Sequence, residues 1–171
     1  MGLLMKLKVL EDFEGRSAEL FDRLASHFGL DEELALLFIR MGINGFSHQS
    51  VLRYLGQLAV KNPRDTQAGV SMDGPLEHAL ENLERLRTNS SCATESEALQ
   101  AALQFKSALM EAYADEELLG CLSGFAHLIT HLHAECRTQI KELQTIVQAR
   151  AKRMEVRHAR MILENRQLSG R

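Results

Sequence analysis

The chain is poor in the residues that interrupt helices. Of its 171 residues only two are proline, Pro63 and Pro75, and both fall in one short stretch. A proline inside a helix removes a backbone donor and clashes with the preceding turn, so the rest of the chain is free to be helical. β-Branched aliphatics are also scarce: Val and Ile together number 12, against 28 Leu and 18 Ala. Straight-chain residues lose little rotamer freedom in a helix and β-branched ones lose more, which argues against a sheet-dominated fold. Long hydrophobic runs are missing. The longest, Leu34 to Ile39, has six residues, where a membrane helix needs about 20. The Met1–Lys6 run does not read as a signal peptide, since Lys6 and Lys8 break it and no small-residue cleavage site follows.

Cysteine is sparse too. Cys92, Cys121 and Cys136 cannot all pair. If Cys121 and Cys136 share one helix they stand about 22 Å apart, beyond the reach of a disulfide. Reduced thiols in a cytoplasmic protein are expected, with Cys121 and Cys136 acting as buried apolar residues. The sequence has no Gly-rich phosphate loop, no Cys-x-x-Cys pair and no nucleophile elbow. Ser47 and His48 are adjacent on a helical pattern, so their side chains diverge and cannot act as nucleophile and base. No catalytic residue set emerges. The 45% hydrophobic and 25% charged composition is that of one ordinary domain with a real core.

What is present is helical periodicity. From about Leu7 to Phe28, Leu10, Phe13, Ser17, Leu20, Phe21, Leu24 and Phe28 recur at steps of three and four, an amphipathic pattern. Gly29 is a plausible stop. Asp31 then reads as an N-cap for a helix through Leu34, Leu37, Met41, His48, Leu52 and Leu55 to about Val60. Residues 61–75 form the clearest loop. Leu76, Leu80, Leu83 and Leu86 mark a short crossover helix, and residues 88–94 a second polar break. Thr94 with Glu97 fits a capping box for a helix through Tyr113, in which Phe105 and Met110 read as core. Asp115 caps a further helix that runs past Ile140. A straight helix of that length is too long for a small body, so a bend or a projecting end is expected.

The two halves resemble each other. Glu14 precedes Phe21 by seven residues, and Lys106 precedes Tyr113 by seven. Each half then has an Asp-Glu-Glu-Leu turn, at Asp31–Leu34 and Asp115–Leu118, followed by a helix with an inward His, His48 or His133. Two helical hairpins joined by a crossover make a ferritin-like four-helix bundle.

At this point the chain resembles the rubrerythrin-like branch of the ferritin-like superfamily. The segment Glu14–Ala25 is similar to that family's first helix, where a ligand Glu precedes an aromatic by seven residues. His133-Ala-Glu135 is similar to its closing Glu-x-x-His-Ala-Glu segment. The resemblance covers about residues 10–60 and 95–143. It implies an all-α fold with a crossover helix and a long C-terminal helix. It also implies carboxylates on facing helices, because two adjacent metal cations need anionic bridging oxygens. Glu14, His48 and His133 stand at ligand positions of that pattern. Gly45, Lys106 and Thr130 stand where the family has Glu. The expectation is therefore a bundle that has lost its di-iron chemistry and acts as a structural or interaction module, with no cofactor. Lys106 beside Glu14 would give a salt bridge in place of metal. The alternative is a metal-binding protein or oxidoreductase with iron or another divalent ion at Glu14, His48 and His133; otherwise both His simply fill a partly polar core.

Three weaker features remain. His127 and His131 share a helix face with Glu135, a ligand set of low specificity for zinc; packing or solvent-facing His is the ordinary reading. His78 beside Glu77 and Glu81 is similar. Residues 141–171 carry eight Lys/Arg against three Asp/Glu, a net of +5, while residues 1–140 carry 12 against 20, a net of −8. This basic extension, 144–171, either solvates a helix end and favours its dipole or contacts nucleic acid through Arg150, Lys152, Arg153, Arg157 and Arg160. The expected organisation is thus a bundle over 1–143, with hairpins at about 7–60 and 95–143 and a crossover at 61–94. The expected partner is a second copy in a homodimer or an unidentified protein, with no membrane.

Overall fold

The structure, a computed structural model, describes residues 2–28, 31–61 and 94–169, together with 78, 81, 82, 84 and 85. Among these residues it is all-helical. Helix α1 spans Leu3–His27, α2 Glu32–Lys61 and α3 Glu95–Tyr113; α4, Glu116–Leu122, passes through a 3₁₀ turn, Ser123–Phe125, into α5, Ala126–Ser169. None of the described helices is long and apolar enough to cross a membrane. The expected stop at Gly29, most of the 61–94 crossover, its leucines and Cys92 lie outside the described residues.

Helix α1 begins earlier than its periodicity implied. Leu3 and Leu7 are both buried, and Lys6 between them is buried because its amine bonds Asp115 Oδ2 at 2.5 Å. A charged residue that breaks an apolar run in the sequence is here an anchor to the second half of the chain. The two Asp-Glu-Glu-Leu turns fold alike. Leu34 N–H donates to Asp31 Oδ1 at 3.1 Å, and Leu118 N–H donates to Asp115 Oδ1 at 2.9 Å. Each aspartate satisfies a first-turn amide that has no partner within the helix. Each also meets a cation from another helix: Asp31 takes Arg150 Nη2 at 2.9 Å, as Asp115 takes Lys6. The Thr94–Glu97 capping box is formed, with Thr94 N–H donating to Glu97 Oε2 at 2.8 Å.

Helices α1 and α2 pack as one hairpin, and α3 packs on α5. One apolar core joins them. Phe21 stacks on Phe38 with centroids 6.0 Å apart and meets Phe105 edge-on at 6.4 Å, so α1, α2 and α3 converge on one ring cluster. The helix that follows Asp115 is interrupted by the 3₁₀ turn Ser123–Phe125, after which α5 runs on to Ser169. Buried positions on α5 are Ile129, Leu132, Cys136, Gln139, Ile140, Leu143 and Ile146. The helix does not break at residue 143. Arg150 is held by Asp31 and by Glu95 Oε1 at the start of α3, and residues 151–157 are all exposed.

Candidate functional site

Four helices each send polar side chains into the middle of the core. Glu14 on α1, His48 on α2 and Lys106 on α3 are fully buried. Glu14 Oε1 accepts from His48 Nδ1 at 2.6 Å and from Tyr113 Oη at 2.8 Å. Glu14 Oε2 accepts from Lys106 Nζ at 3.4 Å. On its other side, His48 Nε2 meets Glu135 Oε2 of α5 at 2.6 Å. Both ring nitrogens of His48 therefore face carboxylate oxygens. The imidazole is thereby clamped between α1 and α5. Glu135 Oε1 continues the chain to the exposed His131, at 3.5 Å.

Burial alone would push the Glu14 carboxyl up. The Lys106 charge, the His48 hydrogen bond and charge, and the Tyr113 hydroxyl overcome that and hold it at about 2, against an ordinary 4.5. Burial first, and then the Glu14 charge, push the Tyr113 phenol well above its usual value, so it stays a donor. Cys136 is buried beside the cluster, and burial pushes its thiol up to about 12. Burial thus favours the neutral thiol.

The likeness of the two halves carries into this centre. Glu14 and Lys106, each seven residues before an aromatic, touch each other. Glu14 bonds Tyr113, the aromatic of the other half, and Lys106 lies 5.6 Å from the ring centroid of Phe21, the aromatic of Glu14's own half. A second ring, Phe105, is 5.8 Å from the same ammonium. Aromatic faces attract a cation, so Lys106 is held by rings and a carboxylate together.

Gly45, Lys106 and Thr130, where the resemblance would call for carboxylates, have surroundings of their own. Gly45 lies against α1: a Cβ there would come 2.9 Å from Ala18 Cβ and 3.2 Å from the Glu14 carbonyl oxygen. Any side chain at this position would have to shift α1 relative to α2. Lys106 brings positive charge to the centre. Thr130 is exposed and its hydroxyl donates back to the Ala126 carbonyl at 3.1 Å. These residues do not fit a di-iron centre.

His133 is partly exposed and stands outside the central group. It is one residue, about 100°, past the buried Leu132, whereas Glu135 and Cys136 return to the inner side. The side chains whose donor atoms could meet one ion are Glu14, His48 and Cys136, with those atoms within 4.8 Å of one another. Spacing along the sequence did not single out Tyr113 or Glu135 for this centre. The available signals were a tyrosine where the first half has phenylalanine, and a glutamate one turn after His131.

The weaker features resolve simply. His127 Nδ1 sits 3.2 Å from the Gly124 carbonyl oxygen, and His78 Nδ1 is 3.8 Å from Glu81 with both side chains exposed. Ser47 is exposed and His48 buried, so they diverge as expected. Arg150 is engaged in ion pairs, while Lys152, Arg153 and Arg157 are exposed. The chain matches no protein-family model, no curated protein and no solved structure.

Proposed function

We propose that this chain is a ferritin-like bundle of the rubrerythrin-like kind whose centre holds a protein-made charge network where relatives hold two irons, and that it acts as a structural or interaction module. One observation carries the reading: Lys106 Nζ lies 3.4 Å from Glu14 Oε2 with neither side chain exposed. A fixed ammonium supplies the positive charge that a metal would otherwise bring to the carboxylate. The tight contact of Gly45 with α1 supports it, because no carboxylate can be housed at that position without parting the helices. The exposed helix surfaces are then what the protein offers to partners in the cytoplasm, a second copy among them.

A second reading has its own support. Glu14, His48 and Cys136 place one carboxylate, one imidazole and one thiol within reach of a single ion. Binding there requires the Cys136 proton to leave, against a thiol held at about 12, and His48 to give up a carboxylate contact. Metal analysis of the full chain, purified without chelator, separates the readings. The charge-network reading expects iron and zinc far below one per chain, unchanged on titration with either metal. Near-stoichiometric metal that is lost in both His48→Ala and Cys136→Ser would establish the second.

A further inference from the structure

Helix α2 is apolar on two sides. Its inner side, with Leu34, Leu37, Phe38, Met41, Leu52 and Leu55, fills the core. Its outer side is also apolar. Of the eleven exposed large hydrophobic side chains among the described residues, six lie on this helix: Leu36, Ile39, Ile43, Phe46, Tyr54 and Val60. A helix that is hydrophobic all round is buried against something. Leu36, Ile39, Ile43 and Phe46 follow steps of three, four and three, the spacing of a helix–helix seam. Ile43 is 63% exposed and Leu36 52%. These four side chains form one exposed apolar stripe along α2.

We propose that this outer face of α2 joins two copies of the chain in a two-fold, antiparallel pair. The charge order along the face selects this occupant. Exposed acids, Glu32 and Glu33, open the helix, and exposed Lys61 closes it. Between Arg40 and Arg53 the exposed positions, Ile43, Phe46, Ser47 and Ser50, carry no charge. The two arginines are satisfied at home, Arg40 by Glu142 at 3.3 Å and Arg53 by Glu11 at 2.7 Å. An antiparallel copy sets the acidic end of one helix against the basic end of the other and opposes the two helix dipoles. A parallel copy sets like charge on like. The surface is thus complementary to itself under a two-fold axis, which is what an isologous dimer requires. Ser47 and Ser50 near the midpoint let the helices approach closely. At 30 residues the helix is about 45 Å long, enough for an interface of standard size, about 800 Å² per partner. A membrane surface is the poorer occupant, because the face opens on two carboxylates that anionic headgroups repel.

This inference names a partner for the interaction module proposed above. The two can fail separately: metal content speaks to that reading, and mass in solution to this one. The test is light scattering on a sizing column with the full chain at micromolar concentration. The expected mass is twice 19.2 kDa. Ile43→Glu and Phe46→Glu should each halve it while leaving the helical circular dichroism and Tm close to wild-type, since both side chains point out of the core. Met154→Glu, at an exposed site on α5, should remain dimeric. Three results would overturn the proposal: a wild-type monomer at tens of micromolar, a dimer that survives both α2 substitutions, or a dimer lost on Met154→Glu. Vesicle binding by a monomeric chain that Ile43→Glu abolishes would assign the face to lipid instead.

Discussion

Lys106 and Glu14 form an ion pair across the middle of the core, 3.4 Å apart and both without exposure to solvent. Removing one member of such a pair strands the other charge in a dry environment, which typically costs 3–5 kcal/mol. Lys106→Met keeps the length of the side chain and removes its charge. It is expected to lower stability by about 3–5 kcal/mol in urea unfolding. Pairing it with Glu14→Gln removes both charges, so the double variant should be more stable than the sum of the single losses implies, by at least about 1 kcal/mol. Additive losses would show that the pair is not coupled.

The same contact gives a pH dependence with a definite sign. Glu14 is held at about 2 in the folded chain, against an ordinary 4.5. A carboxyl whose folded value is depressed contributes stability above its unfolded value and loses that contribution as the pH falls through the folded one. Wild-type should therefore lose stability from about pH 4.5 down towards 2. Glu14→Gln has nothing to titrate at this position. The stability gap between the two proteins should be full at neutral pH and shrink across that window. A gap that stays constant to pH 2 would show that Glu14 is not the ionised acceptor of the cluster.

Tyr113 donates to the same carboxylate from across the core, at 2.8 Å, and is itself fully buried. Tyr113→Phe keeps the ring and deletes only the hydroxyl. A hydrogen bond to a charged group contributes about 1.5–3 kcal/mol, so Tm should fall by roughly 4–8 °C for a domain of this size. Tyr54→Phe, at an exposed site on α2, is the control and should leave Tm unchanged.

Which parts of this arrangement were legible in the sequence follows from how local their causes are. The caps at Asp31 and Asp115 depend on a side chain meeting an amide three residues on, so the Asp-Glu-Glu-Leu pattern was enough to read them. Glu14, His48 and Lys106 were legible through the likeness of the two halves and the resemblance it suggested, and each lies on an uninterrupted helix that keeps the register. On α5 the reasoning shifted register. The inner face there is set by Ile129, Leu132, Cys136 and Leu143, so Thr130 is exposed and His133 stands outside the central group, while Glu135 reaches His48. Tyr113 showed its helix and its inward face, but its bond to Glu14 depends on how two hairpins dock. The same is true of Gly45. Its place in the sequence says nothing of its neighbours; the approach of α1 shows that even a Cβ there is crowded.

That approach gives a last prediction. The Cβ of an alanine at position 45 would lie 2.9 Å from Ala18 Cβ and 3.2 Å from the Glu14 carbonyl oxygen. Neither neighbour is the flexible end of a side chain, so the helices must part. In an open helix, Gly→Ala stabilises by about 1 kcal/mol. Here the overpacking should outweigh that gain, for a net loss of about 1–2 kcal/mol. Ala18→Gly removes the nearer obstacle while leaving the carbonyl. Gly45→Ala should therefore cost less in an Ala18→Gly background than in wild-type, a coupling read directly from a double-mutant cycle. Because Glu14 sits on the displaced segment of α1, the variant should also weaken its grip on His48 and Lys106. The acid-sensitive part of the stability curve should then flatten along with the loss. A Gly45→Ala protein as stable as wild-type, with the same acid profile, would mean that α1 does not close against α2 at this point.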